Sequence, residues 1–292
     1  MPELPEVETV RRQLEPELVG RKVEKVSVLD ERLTRPEPPR AVEKAVSGRE
    51  VEAVNRRGKY LLIELDGERT LAIHLRMTGN LFLGEGGDHV RARFELDDGR
   101  ELIFTDVRRF GQAIVLDRGE GLEDYFAPRL GVEPLSGELT PERLLELAKD
   151  RKAPLKSFLL TQSRIAGIGN IYADEALWRA RLHPLSPAGS MKLEHAGRLV
   201  EGIVGALEAG LDHGGASIDD YLDARADRGS MQDEFLVHTR EGERCQRDDG
   251  EIQRIVVTGR STYFCPGCQE RLRRRPRRAK RTRTTPGEAK AG

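Results

Sequence analysis

The chain has 292 residues, a formal net charge of −1 and three cysteines. This length predicts two or three domains, and so few cysteines argue against a disulfide framework in a cytosolic chain. No apolar run approaches the roughly 20 residues of a membrane helix, and no signal peptide precedes the first charged residues, so a cytoplasmic protein without membrane contacts is expected.

The small net charge hides a strong asymmetry along the chain. Residues 271–292 hold ten Lys and Arg against one acid, Glu288, a net +9 that leaves −10 for residues 1–270. Such a tail is typical of a disordered arm suited to phosphate backbones or acidic surfaces, and the alternative is a solubilising extension without a specific partner. Because an acidic body is unusual for a nucleic-acid-binding protein, charge alone does not decide between them.

The first 18 residues predict a packed helix with a reactive start. Apolar residues recur at helical spacing, and proline and acids suit the helix N-terminus. If Met1 is removed, as is usual before a small residue, Pro2 gains a free secondary amine. An α-amino group has a pKa of roughly 7.7–8.0, so part of it is neutral at pH 7 and can attack a carbonyl or the C1′ carbon of a sugar. Glu3 and Glu6 lie one helical turn apart and are candidate proton shuttles.

Residues 22–118 follow the pattern of strands. Two hairpins turn at Asp66-Gly67 and at Asp97-Asp98-Gly99, and closely spaced strands of this kind predict a sandwich or barrel. From Pro134 onward the pattern is helical, with an N-cap at Thr140 and a glycine stop after residue 212. We therefore expect an α+β chain: an N-terminal helix plus β-sandwich domain (1–130), an all-helical domain (131–236), a finger hairpin (237–270) and a disordered basic tail (271–292).

The three cysteines predict a metal-binding hairpin. Cys265 and Cys268 form a C-x₂-C knuckle, and Cys245 precedes a strand pair that turns at residues 258–261. A four-cysteine zinc ribbon has a second C-x₂-C knuckle, but Asp248 stands where its other cysteine is expected. Because carboxylates also bind zinc, a Cys₃Asp site is consistent with the sequence. The alternatives are His238 as fourth ligand, weaker metal binding, or a hairpin without metal.

Three further motifs carry candidate binding chemistry. Gly167–Asn170 lies before a helix, whose free N–H groups suit an anion such as phosphate, although an ordinary helix–helix turn has the same pattern. Arg76–Gly79 and Arg108–Gly111 each follow a strand and combine arginine with an apolar side chain, which suits insertion into a DNA stack or simple core packing. Lys59, at the start of a strand, is either a phosphate clamp or a surface lysine.

In this order the motifs resemble those of the formamidopyrimidine-DNA glycosylase family, bacterial base-excision repair enzymes of the helix–two-turns–helix superfamily. The resemblance runs from Pro2 to about Gln269. It implies an enzyme that excises oxidised purines, such as 8-oxoguanine and formamidopyrimidines, from damaged double-stranded DNA. It also implies a Schiff base through the N-terminal proline, followed by β- and δ-elimination that cuts the strand on both sides of the sugar.

The resemblance also assigns roles to individual residues. It implies catalytic roles for Pro2, Glu3, Lys59 and Arg260, with Glu6 as a supporting carboxylate. Arg260, at the tip of the finger, also matches a contact to the DNA backbone phosphates. It implies DNA contacts for His74, Met77, His89, Arg108, Phe110, Lys156 and Asn170. Within that set, Met77, Arg108 and Phe110 fill the gap left by the extruded base, and Lys156 handles 8-oxoguanine. One structural Zn²⁺ on Cys245, Asp248, Cys265 and Cys268, a monomeric state and association with the nucleoid complete the expectation.

Two departures from the family pattern leave alternatives open. His238 stands where the family usually has a tyrosine near the finger, and Arg228–Met231 lacks the aromatic residue expected in the lesion-capping loop. The change at His238 concerns a phosphate contact, which an imidazole would make pH-dependent. The change in the capping loop leaves the preferred base open, and one alternative is an endonuclease VIII-type glycosylase for oxidised pyrimidines. The Leu4-Pro5 opening and the Met/Arg/Phe set favour the purine enzyme. The other alternative is a catalytically silent protein that binds lesion DNA.

Overall fold

A computed structural model describes residues 1–218 and 221–273. Most of the tail predicted to be disordered, residues 274–292, lies outside the described residues. The described chain combines an N-terminal helix, a β-sandwich, a group of helices and a C-terminal β-hairpin, and this confirms the predicted α+β fold class. No helix among the described residues is long and apolar enough to cross a membrane.

The N-terminal half consists of helix α1 (Leu4–Leu18) and eight antiparallel strands. The strands are β1 (Lys22–Val28), β2 (Arg49–Arg57), β3 (Tyr60–Leu65), β4 (Arg69–His74), β5 (Gly79–Leu83), β6 (Val90–Leu96), β7 (Glu101–Asp106) and β8 (Gln112–Asp117). Their order is β5-β7-β6-β1-β2-β3-β4-β8. Strands β1 and β2 pair only through Lys22–Glu50 and Val23–Arg49, so the sheet separates there into two layers.

The two layers enclose one apolar core. Side chains from both layers, such as Leu71 and Phe104, pack together with the stripe predicted on α1, which contributes Val7, Val10 and Leu14. The two predicted hairpins form as expected, because β3 pairs with β4 and β6 pairs with β7. Two short helices were not predicted: α2 (Pro39–Val46) and α3 (Glu120–Phe126).

The C-terminal half is built around a buried helix. Its helices are α4 (Pro141–Ala148), α5 (Leu155–Leu159), α6 (Asn170–Arg179) and α7 (Leu193–Asp212). The predicted N-cap is present, since the Thr140 hydroxyl accepts a hydrogen bond from the Arg143 N–H at 3.2 Å. Residues 171–178 of α6 are all buried, so this helix is the centre of the domain. Leu4 of α1 belongs to the same core, and α1 therefore joins both halves.

The last described element is the predicted hairpin, made of β9 (Gln253–Val257) and β10 (Arg260–Phe264). Its base packs on the C-terminal end of α6, where Trp178 contacts Val237, Cys245 and Ile252. The indole N–H of Trp178 points to the Cys245 sulfur at 3.4 Å. The Arg247 guanidinium lies over the Trp178 ring at 3.6 Å, so the hairpin is fixed to this end of α6.

The contact between α6 and α7 gives a test of the fold. A Cβ at Gly210 of α7 would lie 2.5 Å from the ring and hydroxyl of Tyr172, which is fully buried. We expect Gly210→Ala to lower the free energy of unfolding by about 1–3 kcal/mol, the usual cost of overpacking. Gly197, on the same helix, has open space around it, so Gly197→Ala should raise stability by about 0.5–1 kcal/mol. Urea unfolding of both variants measures the difference, and equal effects would contradict this packing.

Candidate active site

The Glu3 carboxylate is bound by the N-terminus of α6. It accepts hydrogen bonds from the backbone N–H of Gly169 at 2.7 Å, Ile171 at 3.0 Å and Tyr172 at 3.4 Å. A Cβ at Gly169 would lie 2.3 Å from the carboxylate carbon, so only glycine permits this approach. The sequence predicted an anion at this helix start and suggested phosphate. The structure places the protein's own Glu3 there.

Glu6 lies beside Glu3 and is almost completely buried. Its carboxylate accepts hydrogen bonds from the Glu3 N–H at 2.8 Å, the Tyr172 hydroxyl at 2.7 Å and the Ala216 N–H at 2.7 Å. Burial and the neighbouring Glu3 charge raise the pKa of Glu6, while the three donors oppose this shift. The two carboxylates that sequence spacing placed together therefore share one buried site.

Lys59 completes the group around the N-terminus. It is 4% exposed, and burial lowers the pKa of its ammonium against the attraction of Glu3 and Glu6. A cavity of about 200 Å³ opens beside it and is lined by Met1, His74, Gly169 and Arg260 among others. Five of the predicted site residues (Glu3, Glu6, Lys59, His74 and Arg260) thus lie in or next to one pocket, although they come from distant parts of the chain.

His74 faces this cavity as a neutral ring. Burial, with Arg76 and Lys59 nearby, lowers the pKa of His74 to about 3. Its Nδ1 accepts a hydrogen bond from the Arg76 N–H at 3.0 Å, which a neutral imidazole can do. His89 lies apart from it, exposed in the loop between β5 and β6.

Met77, Arg108 and Phe110 lie on two neighbouring loops next to a cleft of about 700 Å³. Met77 and Phe110 line the cleft, and Phe110 is 53% exposed with the Arg108 guanidinium 4.9 Å from its ring centre. These apolar side chains are therefore available to a partner and not part of the core. The buried Asp106 links the two loops, because it accepts hydrogen bonds from Thr78 of one and from the N–H groups of Arg108 and Gly111 of the other.

Lys156 and Asn170 take part in contacts inside the protein. Lys156 has no exposed surface, and its ammonium donates to Asp174 and to the Asn170 carbonyl, both at 2.6 Å. In this conformation it has no surface with which to meet DNA. The same Asp174 carboxylate bonds Nδ1 of His238 at 2.8 Å. One N–H of the Asn170 amide donates to the Ser261 carbonyl at 3.0 Å and so joins α6 to β10.

Four side chains at the base of the hairpin can hold one metal ion. The ligand atoms of Cys245, Asp248, Cys265 and Cys268 all lie within 4.8 Å of one another. Three thiols and one carboxylate are a donor set that fits zinc. Burial and the neighbouring thiols raise the pKa of Cys268 to about 12, so a cation is needed to favour its thiolate. His238, the alternative fourth ligand, instead bonds Asp174.

Comparison with known proteins identifies the family of the chain. Residues 1–113 match the profile of the formamidopyrimidine-DNA glycosylase N-terminal domain, and residues 130–221 match that of its H2TH domain. A formamidopyrimidine-DNA glycosylase from Chloroflexus aurantiacus is 47% identical over 274 residues, which cover 92% of this chain and 98% of the relative. One from Heliobacterium modesticaldum is 44% identical over 277 residues, covering 92% and 100%. The chain belongs to the formamidopyrimidine-DNA glycosylase family.

Solved structures of family members share the fold of this chain. Lactococcus lactis Fpg bound to DNA containing an abasic site superimposes with a TM-score of 0.85 at 34% identity, covering 92% of this chain and 100% of that one. A variant of the same protein bound to Fapy-dG-containing DNA superimposes with a TM-score of 0.86 over the same shares at the same identity.

Three buried residues that support the site were not predicted from the sequence. Tyr172, Asp106 and Asp174 are buried and bond to predicted site residues. Tyr172 has the pattern of any apolar core position on a helix, so sequence gave no signal for it. Asp106 and Asp174 are acids next to predicted motifs, and a buried acid requires a partner. That requirement was the one available signal.

His74 gives a test of the site's electrostatics. Below pH 6.5 the unfolded chain protonates this histidine, whereas the folded protein does so only near pH 3, so stability from this group is lost as pH falls. We expect the unfolding free energy of wild type, measured relative to that of His74→Asn, to fall by about 2 kcal/mol from pH 7.5 to pH 5. Asparagine can keep the hydrogen bond to the Arg76 N–H. The exposed His89→Asn serves as control, and a pH-independent difference for His74→Asn would refute the assignment.

Proposed function

We propose that this protein excises oxidised purines from duplex DNA and cuts the resulting abasic site, with Pro2 as nucleophile. The observation that carries the proposal is the buried junction at the N-terminus. There Pro2 precedes a carboxylate fixed by α6, and Lys59 lies beside the same cavity. A DNA-binding protein without catalysis has no need for this arrangement of charges, because burying them costs free energy.

The chemistry begins once Met1 has been removed. The Pro2 nitrogen attacks C1′ of the damaged nucleoside as the glycosidic bond breaks, and the base leaves with the bonding electrons and takes up a proton. Sugar opening gives an iminium ion between Pro2 and C1′. Loss of a C2′ proton then expels the 3′ phosphate by β-elimination, and δ-elimination expels the 5′ phosphate. Glu3 is suited to move these protons, because it follows Pro2 directly in the chain and its carboxylate is fixed by α6.

The DNA contacts follow from surface position. We assign gap filling to Met77, Arg108 and Phe110, whose loops are joined through Asp106. We assign backbone contacts to His74, His89 and Arg260 and to the second N–H of the Asn170 amide. For Lys156, whose ammonium is used inside the protein, we infer a supporting role at the start of α6. We place the domain boundaries at residues 130, 236 and 270. We propose that the protein acts as a cytoplasmic, nucleoid-associated monomer.

Borohydride trapping tests the nucleophile. Protein without Met1, incubated with a duplex carrying 8-oxoguanine opposite cytosine, should give a covalent adduct that mass spectrometry maps to the Pro2 nitrogen. Protein that retains Met1 is the matched control and should give none, since its Pro2 nitrogen is an amide. An adduct elsewhere, or none with the trimmed protein, would refute the proposal. Faster excision of an oxidised pyrimidine would favour the endonuclease VIII-type alternative, and binding without cleavage would favour the silent one.

We also propose one structural Zn²⁺ held by Cys245, Asp248, Cys265 and Cys268. When bound, zinc would fix the base of the hairpin through coordination bonds to these four side chains. The fit rests on the donor set and on the closeness of the four ligand atoms.

Metal analysis tests this site without measuring activity. We expect about one zinc per chain, and Asp248→Ala should weaken zinc binding by at least about tenfold, because even an outer-shell partner contributes that much. Asp248→Cys should strengthen it, whereas His238→Gln should leave it unchanged. Trp178 is the chain's one tryptophan and contacts Cys245, so its fluorescence should report metal removal by a chelator. Zinc loss in His238→Gln with full retention in Asp248→Ala would contradict the ligand set.

A further inference from the structure

We propose that Tyr172 is a positioning residue that holds the Glu3–Glu6 pair together and keeps Glu6 negatively charged while Pro2 reacts. This inference rests on the proposed function of the N-terminal site, and it adds a residue that acts through another. It concerns the iminium step alone, in which the secondary amine and the aldehyde of an abasic site condense with one proton to give an iminium ion and water.

Tyr172 contacts both carboxylates at once. Its backbone N–H points to Glu3 at 3.4 Å, and its hydroxyl donates to Glu6 at 2.7 Å. The side chain is 1% exposed, and its ring and hydroxyl lie against Gly210 of α7, where even a methyl group would collide. The hydroxyl therefore has one position, set by two packed helices, and Glu6 is fixed with it.

Glu6 in turn contacts the peptide bond of the nucleophile. Its carboxylate accepts from the Glu3 N–H at 2.8 Å, and this nitrogen belongs to the peptide bond that follows Pro2. A negative charge here favours the positive iminium nitrogen that forms one residue away, which is electrostatic stabilisation of the reacting group. Two of the three donors to Glu6 are backbone N–H groups, and Tyr172 supplies the third from a side chain.

The groups that face Glu6 define how its charge responds to pH. Glu3 repels it, Lys59 attracts it, Tyr172 donates to its carboxylate, and Tyr221 donates to its backbone carbonyl at 3.2 Å. Burial and Glu3 raise the pKa of Glu6, and the Tyr172 hydroxyl lowers it. Burial also raises the pKa of Tyr172 well above its usual range, so the hydroxyl stays a donor. Removing that hydroxyl therefore raises the pKa of Glu6 further and leaves it neutral over a wider range of pH.

A pair of tyrosine variants tests this inference. Tyr172→Phe removes the donor to the Glu6 carboxylate, whereas Tyr221→Phe removes a second buried hydroxyl, which donates to the backbone carbonyls of Glu6 and Gly214. The rate of borohydride-trappable adduct formation on DNA with a preformed abasic site is measured from pH 5.5 to 9 in single turnovers. This substrate has no base to remove, so only the iminium step is followed.

We expect Tyr172→Phe to react about tenfold more slowly at the acid end, the effect of one hydrogen bond to a charged group, and to reach the wild-type rate at alkaline pH. Tyr221→Phe should follow wild type throughout. In a Glu6→Gln background, Tyr172→Phe should add no pH dependence, because no charge remains to be stabilised. This comparison also holds if Tyr172→Phe lowers stability, since both chains then carry the same change.

Three results would overturn the inference. They are an equal loss of rate at every pH, no loss at all, or the same acid-end loss in Tyr221→Phe. In each of these cases the wild type still forms the adduct, so the proposed function survives. Absence of any adduct from trimmed wild-type protein at every pH overturns the proposed function itself, and with it the role of Tyr172.

Discussion

The binding of the Glu3 carboxylate by the first turn of α6 is the contact on which the rest of the site depends. An isolated buried carboxylate is costly, and here the unpaired N–H groups and positive end of a helix offset that cost. The contact requires a glycine at position 169, and it fixes α1 against the helical domain. Glu6, Tyr172 and the cavity beside Lys59 then take their places around it. The geometry of the candidate site and the packing of α1 on the helical domain therefore depend on the same contact.

Most of the fold could be predicted from local sequence signals. The stripe on α1, the two Asp-Gly hairpins and the cap at Thr140 are short-range patterns, and all of them appear in the structure. Helix α2 was missed because its buried stripe consists of two valines, Val42 and Val46, which is too little to establish a period of 3.6. The order of the strands in the sandwich depends on contacts between residues distant in sequence, and the sequence indicated only the fold class.

The candidate site was predicted in pieces and assembled only by the structure. The pattern at Gly167–Asn170 correctly indicated an anion, but a helix start does not reveal which anion, and the true partner lies 166 residues away. The sequence predicted a DNA contact for Lys156, but its side chain is buried. A helix of five residues has too few positions for a sequence pattern to show which side chains face inward. The supporting residues were hardest to find, because a buried tyrosine that orients a carboxylate has the same sequence pattern as one that only packs.

The sharing of α1 between two cores has a consequence during synthesis. Glu3 leaves the ribosome early, but its partner Ile171 follows 168 residues later. At ordinary rates of translation that delay is on the order of ten seconds. Until then the nascent N-terminal domain has no helix start to fix the Glu3 carboxylate. Under the proposed mechanism, an unfinished chain, or a fragment that ends before α6, is expected not to nick DNA, and strand cutting is expected only from molecules whose second domain has folded.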